Sequence, residues 1–491
     1  MSDDWTRIPM TPILIVALLV ALVWCGVIFV RGGLLGGCLV VLLAGACFGH
    51  AFFHLPVGPV PLTADRLLWA VLLVQCVIWR RLGLTERKPP AGAELVLCAF
   101  FGVLLLSTFS HDWQAHDHQS LARLLFYYVM PLGMYCVARQ IPLSERGVLG
   151  MFACLAVFGL YLAVTAVAET NQWWWLVYPR YIGSTSEPGF LGRARGPLLN
   201  PVGSGLLGGL CLAALLVWWP RLSRPGRLLL LAGALVVGLG IYSTFTRTAW
   251  LGAGLGLFLF LALSIPRSWR LPVLGSILLA VAAVGATQWE RVLALERDRE
   301  LDAQDAAESV KLRPVLAVVA WNMFLDRPWS GCGFAQYDDQ HVYYLADRSS
   351  GLPLEKARPF TQHNVFLALL VETGLVGLGL FLVLLALWIR DAWRVWRSRM
   401  APPWARQVAL LFFVLMANYF ANGMFHDLSL IFMVNMVLFF LAGITAGLRH
   451  LGVDFCERAL PETRRSREED VRPVDDHNPR CNQGLWPSVP A

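Results

Sequence analysis

Phe360-Thr361-Gln362-His363-Asn364 opens an apolar run that continues to Gly379. A titratable imidazole and an amide therefore stand where an aqueous loop enters a membrane helix. Thr361 is the expected N-cap, because its hydroxyl can accept from the free amides of a first helical turn. The positive end of that helix disfavours a protonated imidazole and keeps His363 neutral, available as a base. Nine residues on, Glu372 would lie about two and a half turns along the same helix, on roughly the opposite face.

The rest of the chain agrees with a membrane setting. Of its 491 residues 57% are hydrophobic and only 15% charged, against roughly 25% charged in a soluble globular chain, and its mean hydropathy is +0.58. Apolar blocks of about 20 residues, enough to cross a bilayer as helices, recur from Pro9 to Leu448. Spans are expected near 10–30, 35–54, 65–79, 92–109, 120–138, 148–168, 198–219, 227–244, 248–265, 271–288, 362–389, 405–424 and 428–448. The first block is too long for a signal-peptide core and has no small-x-small cleavage site before the next span, so it reads as retained. The expected fold is all-α, a polytopic integral membrane protein of about 12 or 13 helices.

Lysine and arginine set the orientation. Arg80, Arg81, Arg87 and Lys88, then Arg139 and Arg146, Arg221, Arg224 and Arg227, Arg267 and Arg270, and Arg390 to Arg406 mark alternate loops as cytoplasmic. Thirteen spans ending inside would put the N-terminus outside, so one of the first three blocks could stop short of crossing; the side of the N-terminus stays open. The opposite loops, 111–120, 169–195, 244–247, 288–362 and 422–427, then face the periplasm or exterior. The longest is too long for a structureless connection and should hold helices of its own, including an apolar, interfacial face over Pro314 to Leu325. The chain divides into N-terminal helices (1–168), a membrane region (169–448) with a large outer loop (289–361), and a charged tail (449–491) rich in Arg464, Arg465, Arg467, Glu468 and Glu469, expected to be disordered.

Composition also excludes. The net charge of +7 lies in short loops between spans and is no signal for nucleic acid. Eleven cysteines are scattered, mostly within apolar blocks, with no CxxC or Cys/His metal spacing. There is no phosphate-binding glycine loop or nucleotide motif, and no cofactor is called for.

The polar residues that could carry chemistry all fall on the outer side, although the spans were placed by hydropathy and cytoplasmic charge alone. Arg193 and Arg195 precede Asn200-Pro201 at a membrane entrance, where a planar guanidinium suits phosphate; interfacial anchoring is the competing reading. Arg247 stands between two apolar runs with almost no loop, a costly place for a charge unless it is used. Arg313 could meet an anionic substrate or pair with nearby acids. His363 could activate a sugar hydroxyl, with Asn364 beside it and Glu372 holding neighbouring helices or an arginine. Asp338-Asp339 could bind a metal but lack a third ligand, His426-Asp427 could support the site, and His111, His116 and His118 lack ordered metal spacing.

Taken in order, Arg195-Gly196 with Asn200-Pro201, Thr244-Phe245-Thr246-Arg247-Thr248-Ala249-Trp250-Leu251, Arg313 through Pro328-x-x-Gly331-x-Gly333, and His363-Asn364 through Glu372-x-Gly374-x-x-Gly377 resemble the O-antigen ligase/O-antigen polymerase superfamily of bacterial envelope glycan enzymes. The resemblance covers roughly residues 193–380; the first six spans match only in hydropathy. Thr246 stands where that family more often has serine, which keeps the hydroxyl. The resemblance implies a membrane glycosyltransferase fold of the GT-C type in the bacterial inner membrane, with the site facing the periplasm. It implies metal-independent, inverting transfer of a glycan, such as a lipopolysaccharide O-antigen, from an undecaprenyl-diphosphate carrier to a hydroxyl on a glycan, lipid or protein acceptor. His363 would activate the acceptor, and Arg195, Arg247 and Arg313 would hold the diphosphate. Ligase and polymerase are not separated. A lipid-linked glycan flippase is the alternative from another class; it would need no base and should show repeat symmetry, which the sequence does not display.

Overall fold

The computed structural model describes residues 26–449, apart from 28, 56–60, 86–87, 113–114, 185–189 and 295–302. The expected span at 10–30 lies mostly outside these residues, and the tail beyond 449 wholly so. Within them the fold is all-α. The helices are α1 (Gly33–Cys47), α2 (Ala64–Arg81), α3 (Gly92–Phe109), α4 (Ala115–Leu124), α5 (Met130–Arg139), α6 (Glu145–Thr170), α7 (Pro201–Leu216), α8 (Arg224–Ser243), α9 (Arg247–Ser264) and α10 (Arg267–Ala294). They continue with α11 (Ala303–Asp326), the short α12 (Tyr337–Gln340), α13 (Val365–Arg397), α14 (Pro403–Gly423) and α15 (Phe432–Leu448). Among the described residues the only strands are two-residue pieces, His54–Leu55 and Leu62–Thr63, paired antiparallel.

Eight stretches among these residues are helical, long and apolar enough to cross a membrane, and α1 and α15 are shorter apolar helices. This is a polytopic all-α membrane protein. The apolar runs propagate as helices because a backbone surrounded by hydrocarbon must satisfy its own amides, and polar residues mark where they start. Ser144 accepts from Gly147 N at 3.2 Å to open α6, and Asn200 accepts from Val202 N and Gly203 N, each at 3.0 Å, to open α7. Arg80 and Arg81, Arg139, Arg224, Arg267, Arg394 and Arg397 fall at helix termini that the alternating chain direction puts at one end of the bundle. The expected outer loops share the other end.

Helix α9 lies along α14, α15 along α5, and α13 along both α3 and α14. Helix α7 is deeply buried, its residues from Pro201 to Ala214 all covered. Such closeness needs small residues: a Cβ on Gly209 would fall 2.5 Å from Asn418 Nδ2. By contrast α8 turns Leu228, Leu229 and Leu235 outward, where lipid would cover them. In the outer loop, α11 buries Val315, Leu316, Val319 and Met323 against Tyr337, Leu345, Leu354 and Val371. The apolar face expected to lie at the interface is thus mostly consumed by packing inside the loop and against α13.

The sequence reads as one continuous helix through Glu372, and here the structure differs. Helix α13 breaks at Gly374, which adopts φ 66° and ψ −166°. A break strands amides and carbonyls that water cannot reach, and the outer loop supplies their partners. Cys332 N donates to Val371 O at 2.8 Å and Gly333 N to Glu372 O at 3.1 Å; Leu375 N donates to Pro328 O at 2.8 Å and Val376 N to Trp329 O at 3.4 Å. The fit leaves no room for side chains: a Cβ on Gly374 would stand 2.3 Å from the Trp329 carbonyl, and one on Gly331 2.4 Å from the Glu372 carbonyl carbon. The Pro-x-x-Gly-x-Gly and Glu-x-Gly segments are two halves of one interlock.

Gly374→Ala combines a left-handed φ with this clash, so it is expected to lower stability by at least about 2 kcal/mol. Gly379, whose Cβ would meet nothing within 4 Å, is the control. Thermal unfolding of the detergent-purified protein should show a clear fall in Tm for Gly374→Ala and none for Gly379→Ala; equal midpoints would contradict the interlock.

Candidate functional site at the outer end of the bundle

Five non-glycine residues among those described have positive φ, and four of them immediately precede a helix N-cap: Leu199 before Asn200, Phe245 before Thr246, Ala335 before Gln336 and His363 before Asn364. A left-handed residue costs roughly 1–2 kcal/mol. Its repetition here has a geometric result: the chain turns sharply back over the first turn of the helix it enters. Each candidate motif of the sequence is built on this turn.

At α13 the cap is Asn364, not Thr361. Its Oδ1 accepts from Phe366 N at 2.9 Å and Leu367 N at 3.0 Å. His363 therefore lies outside the helix, with φ 46°, exposed, its ring 6.4 Å from that of Phe360. The helical-face relation expected between His363 and Glu372 does not apply. Asn364 Nδ2 reaches across to donate to Met424 O at 2.9 Å. The next residue, Phe425, carries the Arg313 guanidinium over its ring at 5.2 Å. Asn364, the neighbour of His363, and Arg313, about fifty residues apart in sequence, are thus tied to adjacent residues of one turn.

Arg247 begins α9 and is exposed. Five residues on, roughly 7.5 Å of helix rise, Gly252 abuts α14, where a Cβ would come within 2.2 Å of Asn418 Oδ1 and 2.5 Å of Asn422 Nδ2. Asn422 is two residues before Met424, so Arg247 stands at the same end as the other two. Unlike Asn200 and Asn364, Thr246 makes no side-chain cap to its helix; its hydroxyl accepts from Arg193 Nη2 and donates to Thr244 O at 2.8 Å.

Arg195 is placed differently from the expectation. It is 2% exposed; its Nε meets Glu169 Oε1 at 3.2 Å, and its Nη2 donates to Ile182 O at 2.7 Å and Ser184 O at 2.9 Å. Glu169 Oε2 also accepts from the backbone amides of Arg195 and Gly196. A guanidinium so enclosed ties Ile182, Ser184 and Glu169 together, while its Nη1 is buried without a hydrogen-bond partner. Glu169, at the last turn of α6, was the signal available for this pairing.

Sequence reasoning missed Arg123 altogether. From α4 its Nη1 meets Glu372 Oε1 at 2.7 Å, its Nη2 lies 3.6 Å from Asp427 Oδ2 and 3.3 Å from Ser429 Oγ, and its guanidinium stands 5.2 Å over the Phe334 ring. Glu372 is fully buried and Asp427 nearly so, so the partner arginine that Glu372 wanted is this one. One residue beyond α4, the helix widens into a π turn at Leu125–Val129, a distortion frequent at functional sites. Beside the interlock, burial and the Glu372 carboxylate push the Cys332 thiol up to about 12, so it is no nucleophile at neutral pH. Among the described residues no three His, Cys, Asp or Glu side chains gather as metal ligands; Asp338, in the short α12, is exposed.

Residues 232–382 match the family model described as O-antigen ligase. Over this segment the chain is similar to the O-antigen ligase family. The family is one of membrane enzymes that transfer glycans. The matched stretch runs from α8 into α13 and takes in Arg247, Arg313, the interlock, His363 and Glu372, but not Arg123, Arg195 or Asp427. No curated protein matches the chain.

Asn364 caps a helix and bridges two loops, and these roles separate. Asn364→Ala is expected to cost about 1–2 kcal/mol, while Asn364→Asp, whose carboxylate still accepts from Phe366 and Leu367, should cost less. Thermal unfolding of the two variants checks this; equal losses would mean that the tie to Met424, not the cap, sets the stability.

Proposed function

We propose that this chain transfers a glycan from an undecaprenyl-diphosphate carrier to an acceptor hydroxyl, at the periplasmic face of the bacterial inner membrane. His363 takes the proton of the acceptor hydroxyl as its oxygen attacks the anomeric carbon. The bond from that carbon to the diphosphate oxygen breaks, and its electron pair leaves with the carrier diphosphate. Direct attack inverts the anomeric centre. Arg247 and Arg313 stabilise the charge growing on the leaving group, which supplies the driving force without nucleotide or metal. The first-turn amides of α9, which Thr246 leaves without a side-chain acceptor, add the positive end of a helix beside Arg247.

The observation that carries this reading is the meeting at residues 424–425 of two long-range ties, Asn364 to Met424 and Arg313 to Phe425. They hold an exposed imidazole and a guanidinium at one end of a membrane bundle, with Arg247 on the neighbouring helix. Arg195, buried against Glu169, acts behind the site by shaping the loop before α7.

The test uses purified protein in vesicles with a labelled polyprenyl-diphosphate glycan and candidate acceptors. His363→Ala should lower the transfer rate by about 10²–10⁴-fold while carrier binding persists. Arg247→Ala should weaken carrier binding by about 10- to 100-fold, the worth of one charge-assisted contact. Arg195→Ala should instead lower the yield of folded protein, since breaking a buried pair costs about 3–5 kcal/mol. Wild-type rates in His363→Ala would remove the base, and a labelled carrier that crosses the bilayer with its glycan intact would favour a flippase.

A further inference from the structure

Arg123 lies outside every motif, yet four segments of the outer end meet on it. It is carried by α4, lies over Phe334 just after the Gly331-Cys332-Gly333 turn, and pairs with Glu372 one residue before Thr373 and the break in α13. It also faces Asp427 and Ser429 in the turn that follows α14. Asp427 is itself fixed, accepting from Ser429 N at 3.0 Å and Ser429 Oγ at 2.5 Å.

The half-helix between His363 and the break is therefore held at two points to the same 424–429 turn. At its start, Asn364 donates to Met424 O. At its far end, Glu372 is joined to Asp427 through Arg123. The interlock already holds Val371 and Glu372 to the 332–333 backbone; the two side-chain ties add a fixed placement of the segment relative to the 424–429 turn. Since Gly374 interrupts the helix, the remainder of α13 cannot do this. A planar guanidinium suits the task, because it can meet two carboxylates in fixed directions where an ammonium offers a mobile point charge.

We infer that Arg123 is a positioning residue: through Glu372 and Asp427 it sets where His363 stands relative to the 424–425 turn and Arg313. The inference deepens the proposed transfer and rests on it for its kinetic consequence. Arg123 is enclosed by Glu372, Asp427 and Phe334, and its effect reaches the reaction through the half-helix.

Arg123→Lys, Arg123→Met and Glu372→Gln are purified, and folding is checked by size exclusion and thermal unfolding. Two quantities are then read: transfer rate against donor concentration, and the rate at which diethyl pyrocarbonate modifies His363, located by mass spectrometry. A base misplaced by about an ångström loses on the order of a hundredfold in rate, so folded Arg123→Met should lose about that much kcat with donor KM within about twofold. Arg123→Lys should recover part of it, and His363 reactivity should shift in the same order across the variants. Unchanged kcat and unchanged His363 reactivity in a folded variant would overturn the inference. So would a raised donor KM at intact kcat, which would make Arg123 a binding residue. If Arg123→Met does not fold, Arg123→Lys and Glu372→Gln decide by the same two readings. If wild type transfers nothing, the transferase reading fails, while the modification of His363 still reports whether Arg123 holds it.

Discussion

A backbone amide inside an apolar bundle must find a partner, and at Gly374 the helix cannot supply one. The chain answers with the backbone of a loop forty residues earlier, so that Pro328 to Gly333 stands in for the missing turn of α13. Much else follows from this substitution. The loop enters the bundle and buries Phe334, whose amide donates to Ser107 Oγ at 2.9 Å. Gln336 then latches the loop to the α3–α4 connection through Asp112 O and to α4 through Ser120 Oγ. Residues 328–336 of the outer loop are thereby fixed against the membrane helices, and the half-helix from Val365 to Thr373 is anchored to them at its far end through Val371 O and Glu372 O.

Charge placement follows the same logic. Arg123 and Arg195 are enclosed and matched with Glu372, Asp427 and Glu169, because an unmatched ion in that environment costs several kcal/mol. Arg247 remains at an exposed helix start, and Arg313 is half-buried beside the turn that His363 shares. The arginines therefore divide by burial into enclosed ones that hold loops and ones nearer the surface, a division that residue type alone could not make.

Much of the fold was legible. Hydropathy located the helices from α1 onward because hydrocarbon length imposes a period on composition, and the alternation of basic loops placed the polar motifs at one end. The resemblance to the O-antigen ligase family also showed in the order of the motifs. What stayed hidden has physical causes. Thr361 looked like a cap because hydroxyl and amide caps are nearly equivalent in sequence; only the left-handed turn at His363 puts Asn364 in place. The break at Gly374 was invisible because Glu-Thr-Gly-Leu-Val-Gly keeps its apolar character through it. Arg195 and Arg247 looked alike because exposure is a tertiary property. Arg123 carried no local signal at all, since its partners lie 249 and about 300 residues away.

The proposed chemistry turns on whether the glycan leaves its carrier at this site. The most direct measurement is the stoichiometry of wild-type protein in vesicles given a doubly labelled polyprenyl-diphosphate glycan and an acceptor. One label follows the sugar and the other the diphosphate. Equimolar appearance of glycan on the acceptor and of free polyprenyl diphosphate is the result predicted. Carrier and glycan that stay joined, on either side of the membrane, would contradict it.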